Sequence, residues 1–287
     1  MQLGEILDGS FNIYRRHFGL FMRLSLIIVW LPTALIVYLS VRFAGTPLAF
    51  LNMIEQHPLA SFGMGLLATV IWIGASLLLK AGTIRIISDS YLGQEPELGA
   101  ALRFGGAKIV PLLLVALSKG LLIALIGLFG ALGMGLVVVV GRLMGPSIGG
   151  LLVTVGVVTL GWLVVWIACG YGTTTPIVVL EELSSSFDAF GRSWELTRGL
   201  RGKVFGTMFV AWLIGYFLPQ MVISGINSFL SAGGSTAAQT FFVVLASLIG
   251  IVLAPILPCV LTLLYYDLRV RREAFDLQIL SEQLGPR

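Results

Sequence analysis

Apolar and polar residues alternate along this chain in long blocks. Six apolar stretches dominate it, at residues 19–41, 61–84, 109–139, 148–173, 204–230 and 239–267. A helix needs roughly 20 apolar residues to cross a hydrocarbon core about 30 Å thick. The pattern therefore predicts an all-α integral membrane protein with six transmembrane helices. Gly141, Arg142, Gly145 and Pro146 form a break that separates the third span from the fourth by a short turn.

Shorter polar stretches before the spans predict amphipathic helices. The opening segment places these residues on one face at helical spacing: Leu3, Ile6, Leu7, Ser10, Phe11, Tyr14 and Phe18. Its other face carries Glu5, Asp8, Asn12, Arg15 and Arg16. Segments 97–108 and 184–198 have the same character. In the latter the apolar face holds Phe187, Phe190, Trp194 and Thr197, Ser184 to Ser186 are N-cap candidates, and Gly199 is the expected stop. Such helices lie in the headgroup plane.

The amphipathic segments suggest an internal repeat. They start near residues 3, 97 and 184, and each precedes two spans. Phe18-Gly19 and Phe205-Gly206 are each followed by an aromatic-Leu-Pro triplet, which ends at Pro32 and at Pro219. We expect one polytopic domain over 1–287, with a helix at 1–18, spans 1 and 2 in 19–96, further units at 97–183 and 184–270, and a cytoplasmic tail at 271–287. Pro32, Pro219, Pro255 and Pro258 should bend their helices.

Composition and charge strengthen the membrane assignment. Hydrophobic residues make up 57% of the chain, and charged residues make up 11%, against roughly 25% in soluble domains. The chain contains 18 Lys and Arg, and all of them except Arg42, Arg142 and Lys119 lie at the span ends and connections on one predicted side of the membrane. Because Lys and Arg stay on the cytoplasmic side, this pattern predicts that both termini are cytoplasmic. The net charge of +4 fits anionic lipid headgroups as partners and not nucleic acid, because the basic residues flank the spans. Since Glu5 and Asp8 precede the first apolar run, we expect no cleavable signal peptide.

Lys119 is the candidate for an intramembrane polar site. It lies about ten residues into the third predicted span, where an ionisable side chain is a functional-site hypothesis. A cavity there could be lined by Ser118, Tyr171, Thr173, Thr174 and Gln220. Two interpretations stay open: Lys119 holds an anionic group, or its long stem reaches the interface. For Arg23, Lys80 and Arg85, near span ends, headgroup anchoring is favoured over a specific pocket.

A second candidate surface combines the third amphipathic helix with the C-terminal end of the last span. It consists of Arg192, Trp194, Asp267, Arg269, Arg271 and Arg272. Opposite charges four residues apart predict the pairs Asp267–Arg271, Arg269–Glu273 and Arg272–Asp276. The surface is either an exposed helix that leaves the membrane or a docking site for a soluble protein partner. Small residues at Gly127, Ala131, Gly135, Gly145 and Gly149 favour close packing within one bundle over a homo-oligomer.

The sequence predicts no enzyme site. The two histidines, His17 and His57, are expected on opposite sides of the membrane, and no triad motif accompanies either. The glycine-rich stretches lack the ending of a phosphate-binding loop. Cys169 and Cys259 lie in apolar spans without metal-ligand spacing, so we expect buried thiols. Catalytic, cofactor-binding and metal-binding residues are therefore not predicted.

Several motifs resemble a known family. They are Ile6 to Phe11, Thr175-Pro176, Leu180-Glu181, Ala189 to Gly199, and Tyr265 to Glu273. Together with the layout of the chain, they resemble the membrane domain attached to some glycerophosphoryl diester phosphodiesterases. The resemblance implies a bacterial cytoplasmic-membrane protein of six or more spans. It implies no catalysis, because the phosphodiesterase domain of that family is a separate soluble barrel with metal-binding Glu and Asp and two His.

Two functional hypotheses follow, and a third is much less favoured. The first is a non-enzymatic protein with a structural, regulatory or partner-binding role in a membrane complex. The second is a transporter or channel-like protein for a small or lipid-like substrate, with a polar path near Lys119. A membrane-embedded lipid enzyme is the third. A polar cavity reaching Lys119 would favour the second hypothesis, and a dry, glycine-packed bundle would favour the first.

Overall fold

The described chain is helical throughout. The computed structural model describes residues 2–43, 58–231 and 236–273, and this part of the chain contains no strand. Its α-helices are α1 (Leu3–Arg16), α2 (Phe18–Phe43), α3 (Pro58–Tyr91), α4 (Leu98–Ala107), α5 (Ile109–Met144), α6 (Pro146–Gly170), α7 (Thr174–Leu180), α8 (Asp188–Thr197), α9 (Arg201–Trp212), α10 (Leu218–Ser231), α11 (Thr236–Leu253) and α12 (Ile256–Glu273). A π-helical turn, Leu213–Phe217, joins α9 to α10.

Six segments are long and apolar enough to cross a membrane, as predicted. Within the described residues they cover Phe18–Leu35, Phe62–Tyr91, Ile109–Met144, Ser147–Leu180, Arg201–Gly225 and Val244–Glu273. The helices extend beyond the predicted apolar stretches. Helix α3, for example, continues past the predicted end at residue 84 to Tyr91, and Arg85 forms a salt bridge of 3.0 Å with Asp89 in this extension.

The chain divides into two compact units. The first consists of Met1–Ile109 and Gly206–Asp267, and the second of Val110–Phe205 and Leu268–Arg287. Within the first unit, α2 packs against α3 and α11, and α10 packs against α11. Within the second unit, α8 packs against α6 and α7. Four spans therefore contribute to the first unit, and α5 with α6 forms the membrane hairpin of the second.

A tight turn joins α5 to α6, at the break that the sequence predicted. Gly145 has φ +95°, a left-handed conformation that favours glycine, and Pro146 begins the next helix. A Cβ added to Gly141 would lie 2.8 Å from the Cα of Gly149, so the two backbones are in direct contact. Gly127 and Gly135 have no atom of the described chain within 4 Å of an added Cβ. The close packing predicted for those two glycines within the bundle is therefore wrong.

Helix α1 is amphipathic in the predicted sense. Ile6 and Ser10 are buried, while the predicted polar face, Glu5, Asp8, Asn12, Arg15 and Arg16, is exposed. The backbone N–H of Gln2 donates to the Glu5 carboxylate at 2.8 Å, which caps the first turn. Phe11 and Phe18 of the predicted apolar face remain exposed. They are aromatic residues of the kind that a headgroup-embedded helix would place in lipid.

Helix α8 differs from its prediction in two respects. It begins at Asp188, and the predicted serine caps instead donate to the Asp188 carboxylate, from Ser184 Oγ at 2.6 Å and Ser185 N at 2.9 Å. These bonds hold the pKa of Asp188 below its usual range. Its buried face is Ala189, Ser193, Leu196 and Thr197, whereas Phe187 is exposed. The predicted stop is confirmed, since Gly199 has φ +78°.

The short helices and the spans follow the predicted order. Each of α1, α4 and α8 directly precedes two membrane-spanning segments. Ala101 and Gly105 form the buried face of α4, and Gly105 lies so close to α3 that an added Cβ would meet the Leu78 carbonyl oxygen at 3.3 Å. The order agrees with a threefold arrangement of one short helix and two spans. Common descent of the three units stays a prediction.

Proline alters the last two spans, as the sequence predicted. Before Pro219, which lacks the N–H that an α-helix requires, the chain forms the π-helical turn, in which Leu218 N donates to the Leu213 carbonyl five residues back. Helix α11 ends at Leu253, and the last span resumes at Ile256, after Ala254 and Pro255. The fifth span is therefore a continuous helix with a π-helical turn, and the last span is interrupted at residues 254–255.

A hydrogen bond fastens α1 to the break in the last span. Tyr14 donates from its hydroxyl to the carbonyl of Val252 at 2.6 Å, which satisfies an acceptor at the C-terminal end of α11. Burial, with a smaller contribution from Cys259, raises the pKa of Tyr14 from 10.0 to about 12. Tyr14 therefore remains a donor at alkaline pH.

We expect Tyr14→Phe to lower the free energy of unfolding by about 1 kcal/mol, because the Val252 carbonyl loses its partner. Thermal unfolding in detergent would measure the loss. The folded pKa lies above the unfolded value, so the difference between wild type and variant should be constant below pH 10 and shrink as the pH rises toward about 12. Tyr38→Phe is the control, since that exposed hydroxyl has no bonding partner in the described chain. Equal losses in both variants would contradict the assignment.

Candidate intramembrane binding cavity

The first unit encloses a cavity of about 540 Å³. Its walls come from the first, second, fifth and sixth spans, through α2, α3, α9 to α12 and the π-helical turn. The volume is within the 300–1,000 Å³ range of small-molecule sites. It is also far larger than the water-sized voids of packed interiors. The cavity is partly open to the outside, so a ligand has a way in.

Proline and small residues explain why these four spans leave space between them. Pro32, Pro219 and Pro258 all line the cavity, and each removes a backbone N–H donor from its helix at this level. Small residues line much of the remaining wall: Ala75, Ala211, Gly215, Ala246, Gly250 and Ala254. Pro32 and Pro219 end the two matching aromatic-Leu-Pro triplets. The repeated motif therefore contributes a proline from each of two spans to one cavity.

Lys80 provides the charge of the cavity. Among the lining residues that the structure describes, it is the one cation, and none is a carboxylate. Its ammonium group forms no hydrogen bond or ion pair with the described chain, and its side chain is accessible. The nearest acid along α3, Asp89, is buried and is bonded to Arg85. The positive charge of Lys80 is thus not balanced by the residues around the cavity.

Polar and aromatic groups occupy other parts of the wall. Gln220, Thr33, Ser76 and Ser247 contribute amide and hydroxyl groups, and the Gln220 amide has no hydrogen-bond partner in the described chain. Trp72, Trp212 and Tyr216 are large and exposed, at 48%, 41% and 59% of their surface. Because all three lie on predicted spans, their exposed rings face the region that lipid would fill. We infer that the cavity opens sideways, toward the bilayer.

The structure separates the residues of the predicted polar site. Gln220 lines the cavity, together with Lys80. Lys119, on α5 in the second unit, is half-buried and is not a lining residue of that cavity. Ser118 donates to the Leu114 carbonyl one turn earlier, at 2.7 Å. A polar path through Lys119 stays a prediction.

Tyr171, Thr173 and Thr174 instead belong to the packing of α8 in the second unit. Thr173 Oγ1 and Ser193 Oγ lie 3.0 Å apart, and Ser193 donates to the carbonyl of Gly170 at 2.8 Å. Tyr171 packs against Trp194 with ring centroids 5.4 Å apart. Thr174 donates to the Tyr171 carbonyl at 3.0 Å. These groups satisfy one another at the point where α6 ends, so they hold a helix in place.

Trp194 is also part of a tryptophan–arginine stack, made of Trp166, Trp194 and Arg201. The guanidinium carbon of Arg201 lies 3.7 Å from the Trp166 ring centroid and 4.0 Å from that of Trp194. Contacts of this kind are worth about 0.5–2 kcal/mol, depending on solvation. The stack joins α6, α8 and the start of α9. Trp194 therefore contributes to the packing of the second unit, although the sequence placed it on a partner surface.

The remaining residues of the predicted partner surface are largely paired within the chain. Arg192 bonds Glu181 at 3.0 Å and also Glu273, and Arg269 pairs with Glu273 at 3.1 Å, as predicted. Arg272 donates to the carbonyl of Arg198. Asp267 is only 3% exposed, so its assignment to an exposed surface is wrong: it lies in the packed part of α12. Arg271 is exposed. Asp276, the expected partner of Arg272, lies outside the described residues.

For Lys80 the sequence favours headgroup anchoring over a pocket, whereas the structure places it in the wall of the cavity. Lys80 directly follows the uncharged stretch 58–79, which is the usual position of a lysine that anchors a span to headgroups. The useful signal was the placement of proline and glycine in the spans, because interrupted helices mark ligand sites in membrane transport proteins. Pro32 and Pro219 lie on two walls of the cavity to which Lys80 belongs.

Comparisons with known proteins assign no family to this chain. No family model matches it, and neither a curated protein nor a solved structure does. The resemblance to the membrane domain of glycerophosphoryl diester phosphodiesterases stays a prediction. A functional conclusion has to rest on the cavity and its residues.

Proposed function

We propose that this chain is a non-enzymatic, transporter-like membrane protein that binds a small or lipid-like substrate in the cavity of its first unit. The cavity itself is the observation that supports the proposal: it lies among four apolar spans, at the level where the last span is interrupted. Transport proteins use broken helices to build substrate sites within the membrane. The positive-charge pattern supports a cytoplasmic location of both termini. The resemblance to the phosphodiesterase membrane domain implies a bacterial cytoplasmic membrane.

The alternative, a structural or partner-binding role, has less support from the contacts. Arg192 and Arg269, central to the predicted partner surface, form ion pairs with Glu181 and Glu273 of the same chain. Their charges therefore stabilise the junction of α8 and α12 within the second unit. The cavity, by contrast, contains a cation and an amide without partners in the described chain. Both groups are exposed and therefore available to a ligand in the cavity.

Filling the cavity tests the proposal. Gly250 lines it, and no atom lies within 4 Å of a Cβ added there, so Gly250→Leu should fold while occupying the space. We expect it to reduce labelling of cavity residues by about tenfold or more. The probes are diazirine-bearing palmitic acid and its methyl ester, used on purified protein in phosphatidylcholine nanodiscs. Mass spectrometry of the crosslinked peptides gives the labelling yield.

The matched control is Gly225→Leu. Gly225 lies on α10 outside the cavity, and an added Cβ there also meets no atom within 4 Å. Labelling should remain at the wild-type level in this variant. Unchanged labelling of cavity peptides in Gly250→Leu, for both probes, would mean that the cavity does not hold the ligand, and the proposed function would be rejected.

A further inference from the structure

The chemistry of the cavity points to one class of ligand. We propose that it binds an amphipathic anion, with a carboxylate or phosphate head at Lys80 and an apolar chain toward the lipid-facing opening at Trp72, Trp212 and Tyr216. This inference rests on the proposed function and specifies its substrate. Charge, hydrogen-bonding capacity and the nature of the opening each support it.

The charge of the cavity favours an anion. The Lys80 ammonium group is accessible and has no partner in the described chain, so a carboxylate or phosphate in the cavity would form a charge-assisted hydrogen bond with it. None of the described lining residues can serve as that partner, since none is a carboxylate. Arg85 lies 3.0 Å from the Asp89 carboxylate on the following turns of α3, so that acid is already engaged. The missing negative charge is thus expected from the ligand.

Gln220 adds hydrogen-bonding capacity to the cavity. Gln220 lines the cavity with Lys80 and has two amide N–H donors that are unused in the described chain. A carboxylate or phosphate has several acceptor lone pairs, which one ammonium group does not satisfy alone. The Gln220 amide is therefore available to an acceptor group of the ligand. A neutral ester of the same length would lose the charge-assisted bond.

The rest of the cavity favours an apolar chain over a small free anion. The wall consists mainly of aliphatic and small residues, for example Val29, Ile223 and Leu257. Such a wall offers a phosphate ion no donors, but it stabilises methylene groups, at about 25 cal/mol per Å² buried. The exposed aromatic residues at the opening would allow a chain to enter from the bilayer. Lateral entry suits a molecule that is already dissolved in the membrane.

The test compares the two photoreactive probes, which share one acyl chain and differ in the head group: a carboxylate in one, its neutral methyl ester in the other. Wild-type protein should label cavity peptides about tenfold more with palmitic acid than with its methyl ester, the factor expected from one charge-assisted hydrogen bond. Lys80→Met should remove this preference, and Lys80→Arg should retain it. Lys108→Met is the control, because Lys108 belongs to the same unit but lies against Phe104 and does not line the cavity. If Lys80→Met is not recovered as folded protein, Lys80→Gln provides the same comparison.

The outcomes separate this inference from the proposed function. Persistence of the acid preference in Lys80→Met, with labelling still sensitive to Gly250→Leu, would overturn the anion assignment and leave the cavity as a binding site. If Gly250→Leu leaves the labelling yield unchanged, the cavity is not the binding site, and the proposed function is rejected. Unlabelled palmitate should compete with the acid probe, whereas inorganic phosphate should not. Equal competition by inorganic phosphate would identify a small anion as the ligand and contradict an amphiphile.

Discussion

Gly170→Ala is expected to destabilise the second unit by about 3 kcal/mol. A Cβ at Gly170 would lie 2.5 Å from both Cε3 and Cζ3 of Trp194, and real Cβ atoms do not approach so closely. The ring cannot easily move away, because Arg201 and Trp166 lie against it. Shifting α8 would also weaken the bond from Ser193 to the Gly170 carbonyl, now 2.8 Å. Unfolding with increasing SDS in detergent micelles, followed by tryptophan fluorescence, would measure the loss.

Gly161→Ala on the same helix provides the control. An added Cβ at Gly161 meets no atom within 4 Å, so only the better helix propensity of alanine remains, a gain of roughly 0.5–1 kcal/mol. The two substitutions should therefore have opposite signs. A Gly170→Ala variant as stable as Gly161→Ala, with unchanged tryptophan emission, would show that α8 does not rest on the end of α6.

Gly141→Ala should lower the free energy of unfolding by about 2 kcal/mol. The added Cβ would lie 2.8 Å from the Cα of Gly149 and 3.4 Å from its carbonyl oxygen. Both are backbone atoms, so no side-chain rotation can relieve the contact, and α5 and α6 would have to separate. Helices in lipid gain stability from close approach of their backbones, and this approach would be lost. The same SDS titration measures the effect.

Gly150→Ala is the matched control for this pair, because it neighbours Gly149 and its added Cβ has open space around it. We expect Gly150→Ala to be neutral or slightly stabilising. If Gly141→Ala behaves in the same way, the backbone contact between the two helices does not contribute to stability. Combining Gly141→Ala with Gly170→Ala should give additive losses, since the two glycines have no shared contact.

The number of spans could be predicted from the sequence because it depends on local properties. Length and apolar composition decide whether a helix can cross a bilayer, and both are visible in any window of the chain. The turn at Gly145 and Pro146 was equally local, since each residue has a strong backbone preference. The ends of helices were predicted less well. Helix α3 continues past residue 84 to Tyr91, and the salt bridge of Arg85 with Asp89 supports these last turns, which hydropathy does not register.

The candidate site could be predicted only in part, because it depends on which spans meet. The sequence groups Gln220 with Lys119 in one polar site, whereas the cavity that Gln220 lines contains Lys80 and not Lys119. Lys119 is predicted as a site residue because of its depth within the third span alone. The importance of Lys80 arises from residues far away in the sequence, such as Pro32 and Pro258, which together leave space beside it. Spacing along one helix contains no information about such long-range neighbours.

The single-residue connection between α5 and α6 has a consequence for biogenesis. Met144 ends one helix and Pro146 begins the next, so Gly145 alone joins them. This connection is too short for one span to insert into the bilayer while the other remains outside it. The two helices should therefore insert together as a preformed hairpin, with the contact of Gly141 and Gly149 made early. Lengthening this connection would allow stepwise insertion and would delay the meeting of the two helices.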